Sequence, residues 1–227
     1  MVNILAALLH APSAAIMAWG YNSLRDLPID KFIRTQYGGH LRFLTIQGLA
    51  AAFLTMVLSL LVDLFPGANL SPRYTHHKAC SHDGLPSGSI VVSSIYWTLL
   101  SVAPFLLLAE NPGEATPSSS SEMLALMRIP FNMDLALHAV PAVTLLIDFL
   151  VFERKYSAGA LRYGAPLAVV LSTVGYGSWA EHCAKYTEGV FPYPFLTASP
   201  FWGRVCIYAG AGAIAYFSFL GLNKLHR

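Results

Sequence analysis

Charge is what this sequence has least of. Only 11% of its 227 residues are Asp, Glu, Lys or Arg, against about a quarter in ordinary soluble domains. A chain so poor in charge cannot clothe a water-facing surface, which excludes a conventional soluble globule. The formal net charge of +2 comes without any basic run, so an electrostatic nucleic-acid binder is excluded as well. Cysteine is equally scarce. Cys80, Cys183 and Cys206 are odd in number, irregular in spacing and free of any C-x-x-C pair. Neither a disulfide framework nor a dithiol redox site is expected. A positive n-region is missing too: no Lys or Arg precedes Arg25, and His10 and Pro12 interrupt the apolar run. The opening MVNILAALLHAPSAAIMAWGYNS therefore reads as a retained first span rather than a cleaved leader.

Apolar residues fill the space, at 55% of the chain. A spanning helix needs about 20 mostly apolar residues, and six windows qualify: roughly 3–23, 43–65, 89–109, 132–152, 162–181 and 202–222. The expected architecture is all-α, a single polytopic membrane helical bundle of about six transmembrane helices over 1–227. The second window is the cleanest, with only Asp63 charged, at its far end. Pro12 and Pro166 weaken the first and fifth, although membrane helices tolerate proline. The run Ser118–Ser121 is low-complexity loop and carries no chemistry. Trp97, Trp179, Trp202 and the aromatics of 191–201 suit interfacial anchoring. Orientation is undecided by charge. One side holds Arg73, Lys78, Arg154, Lys155, Arg162, Lys224 and Arg227, the other Arg25, Lys31, Arg34, Arg42, Arg128, Lys185 and Arg204, seven against seven.

Polar residues at depth are expensive and mark function or helix locking. In the fourth window Asp134, His138, Pro141, Leu145 and Asp148 fall on one narrow stripe. Asp134 lies one turn before His138 and can orient its imidazole. The second window carries a small-residue stripe, Thr45, Gly48, Ala52, Thr55 and Ser59, of the kind that lets helix backbones approach. On that pattern Thr45 is a packing residue, its hydroxyl satisfied by the carbonyl one turn back. Both Thr45 and His138 nevertheless lie in the leading halves of spans that run in the same direction, about 6 Å apart in depth. A threonine hydroxyl needs a base to become a nucleophile, and His138 is the best-placed one. His76, His77, Cys80 and His82 form a weak zinc pattern in a loop without a second cluster. No metal or other cofactor is expected. His10 stays unassigned.

Three stretches carry a resemblance. YGGHLRFLTIQGL, DLALHAVPAVTLLIDFLVFERKY and the segment from Trp179 to TEGVFPYPFL are similar to the androgen-inducible / androgen-dependent TFPI-regulating protein family of multipass membrane proteins. The resemblance implies an atypical threonine hydrolase that cleaves fatty-acid esters of hydroxy fatty acids within an endomembrane (endoplasmic reticulum) or plasma membrane. It puts the nucleophile on Thr45 and the second essential residue on His138. Its partners would be the lipid bilayer and a fatty-acyl ester substrate. Gly38, Gly39 and His40 lie near enough to be considered for the oxyanion. Two other readings stand beside it. One is a proton- or cation-coupled transporter using Asp134, His138 and Asp148, and the other is a non-catalytic membrane protein whose polar residues lock helices together.

Overall fold

A computed structural model describes residues 3–65, 129–153 and 155–226. Helix α1 (Ile4–Ser23) begins where the Asn3 side chain accepts the Ala6 N–H at 3.3 Å, a side-chain N-cap. Pro12 sits inside it without breaking it, and the next residue, Ser13, turns its hydroxyl back onto the Leu9 carbonyl at 2.6 Å. A tight turn and a short α2 (Asp30–Thr35) follow. A second tight turn, Gly39–Arg42, then leads into α3 (Leu44–Leu64). Helix α4 runs Phe131–Phe152. A loosely wound turn, Ala160–Gly164, precedes α5 (Ala165–Lys185), and α6 (Pro194–Thr197) is a single turn before α7 (Phe201–Leu225).

Five of the six expected spans thus fall on long helices, and the third, 89–109, lies outside the described residues. Among the described residues, four helices are long and apolar enough to cross a membrane: Ile4–Asp26, Leu44–Leu64, Phe131–Phe152 and Phe201–Leu225. With 21 residues α5 has the length, but Ser172, Thr173, Gly175, Gly177 and Ser178 dilute its apolarity. Leu54, Leu58 and Leu61 on α3, Leu167, Leu171 and Val174 on α5, and Ile214 and Phe217 on α7 all face outward. On a soluble protein such apolar surface would be a liability; on a bundle in lipid it is the solvent-facing side.

Among the described residues the core forms in two parts. Helices α1 and α3 are antiparallel, the Asn3 N–H meeting the Asp63 carbonyl at 3.4 Å, and they pack along their length. Ala52, Thr55 and Ser59 of the small-residue stripe are buried, as close backbone approach requires. Helix α4 completes this half, where Met17 and Ala14, Ile46, Leu49 and Met56, and Met133, Leu137 and Leu145 share one apolar cluster. The second part joins Tyr176, Ala180 and Ala184 of α5 to Phe191 and Leu196, with Leu44 of α3 and Tyr208 of α7 against it. A bidentate Arg204–Glu181 pair, at 2.6 and 2.9 Å, ties α7 to α5. The first turn of α3 therefore sits where the two parts meet.

Candidate functional site

Proline shapes the fourth span. Pro141 has no N–H to return to the Leu137 carbonyl, and the preceding turn, Leu135–Ala139, opens to π winding that closes with the Val140 N–H on the Leu135 carbonyl. Single π turns inside α-helices occur often at functional sites. His138 lies on this turn. Its Nδ1 is 2.7 Å from Asp134 Oδ1 and 3.2 Å from the Asp134 carbonyl oxygen, and both side chains are buried. Two acceptors facing Nδ1 place a hydrogen on that nitrogen. The whole expected stripe, Asp134, His138, Pro141, Leu145 and Asp148, is buried.

Thr45 is the second residue of α3, whose N-cap, Phe43, offers no side-chain acceptor. Tyr193 fills the gap: its phenol oxygen accepts the Leu44 N–H at 3.1 Å. Burial pushes the Tyr193 phenol up, with the Leu44 and Thr45 donors acting the other way, so it is neutral in its resting form. The carbonyls one turn before Thr45 have donors from elsewhere. The Leu41 carbonyl receives Trp179 Nε1 at 3.0 Å and Gln47 Nε2 at 2.8 Å, filling its two lone pairs. The Arg42 carbonyl receives the Tyr176 hydroxyl at 3.4 Å. The aromatics of α5 and 191–201 thus do more than anchor an interface.

The turn ahead of Thr45 is held just as firmly. Gly38 has φ +81°, and a Cβ there would lie 2.8 Å from Cys183 Sγ, so only glycine fits. Gly39 is also left-handed. His40 Nε2 pairs with Asp30 Oδ1 at 2.6 Å, and the buried Arg42 guanidinium binds Gln36 and the Val190 carbonyl.

Asp134 and His138 are brought together as expected, and α3 and α4 share a core face through Ile46, Leu49, Met133 and Leu137. A direct Thr45–His138 hydrogen bond is not among the described ones. The helix starts put Thr45 one residue and His138 seven residues into their spans, about 9 Å apart in depth rather than 6 Å.

The other acidic residue of the stripe belongs to a different centre. Asp148 Oδ1 is 2.9 Å from His10 Nε2, and Asp63 Oδ2 is 2.7 Å from His10 Nδ1. One imidazole thus joins α1, α3 and α4, showing also that α3 and α4 run the same way. Asp148 is ten residues beyond His138, about 15 Å along the helix. Neither His10 nor Asp63 was assigned a role from sequence. The available signal was a histidine near the start of one span and an aspartate near the end of the next, which antiparallel packing places together. Among the described residues no group of three or more His, Cys, Asp or Glu side chains is arranged to hold a metal ion. The His76, His77, Cys80 and His82 pattern lies outside the described residues. Cys183 and Cys206 are free thiols.

Over residues 5–227 the sequence matches the family described as FAR-17a/AIG1-like protein. A UPF0641 membrane protein of Schizosaccharomyces pombe is 28% identical over 222 residues, covering 96% of this chain and 89% of that relative. No solved structure matches.

Proposed function

We propose that this chain, which belongs to the FAR-17a/AIG1-like family, is a membrane-embedded hydrolase of lipid esters, with fatty-acid esters of hydroxy fatty acids as its substrates. Thr45 is the nucleophile, His138 the base and Asp134 the residue that orients it. The observation that carries the reading is the buried His138–Asp134 pair, 2.7 Å apart, on a helix packed beside the one that presents Thr45. The resemblance to threonine hydrolases supplies the reaction.

His138 Nε2 takes the Thr45 hydroxyl proton as Oγ1 attacks the ester carbonyl carbon, and a tetrahedral oxyanion forms. Asp134 keeps Nδ1–H in place and stabilises the imidazolium. Collapse breaks the ester C–O bond, the imidazolium returns its proton to the departing hydroxy fatty acid, and an acyl-threonine remains. Water, deprotonated by His138, then releases the fatty acid and restores Thr45. Catalytic hydrogen bonds are often loose before substrate binds, and the ester carbonyl is the atom both groups must reach. The bundle interior suits acyl chains, and the setting is an endomembrane or the plasma membrane.

The test uses purified protein, a fluorophosphonate probe and a branched fatty-acid ester. Wild type is expected to label and hydrolyse, and well-folded Thr45→Ala to do neither. Ester turnover that survives in Thr45→Ala refutes the assignment.

A further inference from the structure

We propose that the buried Arg42 guanidinium receives a free carboxylate of the substrate, so that the protein selects esters that carry one. This inference rests on the hydrolase reading above and names the group by which that site chooses its substrate.

Arg42 is only 3% exposed, yet among the described residues no carboxylate pairs with it. Asp30, on the same side of α3, is committed to His40 and Arg34, and Glu181 of α5 to Arg204. Burying a charge is costly unless an opposite charge and hydrogen bonds compensate it. A guanidinium carries five N–H donors. In Arg42 one nitrogen donates to the Gln36 side-chain oxygen and another to the Val190 carbonyl, both neutral acceptors. Its Nε is buried and has no acceptor. Nε belongs to the planar fork that grips a carboxylate through two parallel bonds. A buried cation with neutral partners and one unsatisfied donor is completed by an anion from outside the chain. Both present acceptors sit on surface turns, Gln36 half-buried and Val190 exposed. A carboxylate therefore reaches the guanidinium by displacing the Gln36 amide.

The position suits the shape of such a substrate. A fatty acid keeps its carboxylate at the membrane–water boundary and its chain in hydrocarbon. Arg42 lies just ahead of α3, on a turn that Trp179 bonds at Leu41 and that Tyr37 and Tyr186 flank. Aromatics of this kind mark the boundary. Thr45 follows three residues later, at most about 11 Å along the chain, and His138 lies deeper. In an ester of a hydroxy fatty acid the ester branches off some carbons beyond the carboxylate. A carboxylate held on Arg42 thus directs the ester inward, to the depth of Thr45 and His138.

The test assays purified protein on one branched ester of a hydroxy fatty acid in two forms, the free acid and its methyl ester, by release of the branching fatty acid. The reading is the ratio of the two kcat/KM values, which presentation in the micelle affects equally in every variant. Wild type should favour the free acid by about 10–100-fold, the worth of hydrogen bonds to a charged group. Arg42→Gln should bring the ratio to within about threefold of one. Gln36→Glu should do the same, because it gives the guanidinium a carboxylate from the chain itself. Equal turnover of the two forms by wild type overturns the proposal. So does a wild-type ratio in folded Gln36→Glu or Arg42→Gln, even at reduced activity, since that marks Arg42 as a lock between turns and nothing more. Should Arg42→Gln fail to fold, Gln36→Glu decides alone. If wild type hydrolyses neither form, the hydrolase reading fails and takes this inference with it. If wild type is active, Thr45→Ala is dead and the ratio is near one, only the inference fails.

Discussion

Replacing His10 by alanine tests whether the bundle is locked by one imidazole. His10 and Asp148 are buried, 1% and 0% exposed, and the ring bridges Asp63 at 2.7 Å and Asp148 at 2.9 Å. Two hydrogen bonds between an imidazole and two carboxylates need two protons. The ring is therefore an imidazolium between two carboxylates, or a neutral ring with one carboxyl protonated. Either way, His10→Ala removes the ring that acidic groups of two other helices share. Removing one partner of a buried charged pair costs about 3–5 kcal/mol. At about 2.1 cal/mol/K per residue, the 227 residues give an unfolding entropy of about 0.5 kcal/mol/K, so the midpoint in detergent should fall by about 6–10 °C. His10→Ala combined with Asp148→Asn should recover part of that loss, because the double variant no longer carries the fully buried Asp148 charge, and neighbours in one network are not additive. A single-variant shift below 2 °C, or strictly additive losses in the double variant, would refute the lock.

Two further perturbations follow from geometry on the same page. Gly20→Ala places a Cβ 2.8 Å from the Ala136 Cβ, where α1 crosses α4. Overpacking of this kind costs about 1–3 kcal/mol, or about 2–6 °C by the same conversion, read by thermal unfolding in detergent. Asp30 is held below its usual range of 3.8 by the hydrogen bond from His40, with Arg34 adding to the effect. A depressed carboxyl pKa stabilises the fold above the unfolded value and stops doing so as pH falls through the folded one. Wild type should thus lose stability below about pH 4 that Asp30→Asn does not lose, seen by following the unfolding midpoint from pH 6 to pH 3.

Span positions were legible because lipid demands long apolar helices and leaves little else to choose from. Asp134 and His138 were legible for a similar reason: both lie on one helix, where spacing fixes proximity. What the sequence could not show was everything that depends on which helices meet. The two partners of His10 lie 53 and 138 residues further along the chain, and no periodicity links them. Tyr193 looked like one more interfacial aromatic in an aromatic stretch, and only the fold turns its hydroxyl onto the first turn of α3. The bonds of Trp179 and Tyr176, side chains from α5, to the Leu41 and Arg42 carbonyls were hidden for the same reason. The π turn at His138 could have been suspected from Pro141, whose missing N–H must loosen the turn before it.

The split of the acidic stripe also decides how the transporter reading should be tested. A relay through Asp134, His138 and Asp148 has to carry charge about 15 Å along α4. The buried stripe residues in between are Pro141 and Leu145, and the nearby Thr144 hydroxyl is turned onto the Val140 carbonyl at 2.8 Å. Asp134 is bonded to His138 and Asp148 to His10, so the two carboxylates serve separate histidines. If His138 is a base oriented by Asp134, Asp134→Asn should lower ester turnover by about 10²–10⁴-fold, the range spanned by general-base catalysis. Asp148→Asn should weaken the fold yet keep more than half the turnover of each folded molecule. The measurement is specific activity normalised to folded protein from size-exclusion in detergent. Equal losses of turnover in the two variants would contradict the separation and favour one continuous relay.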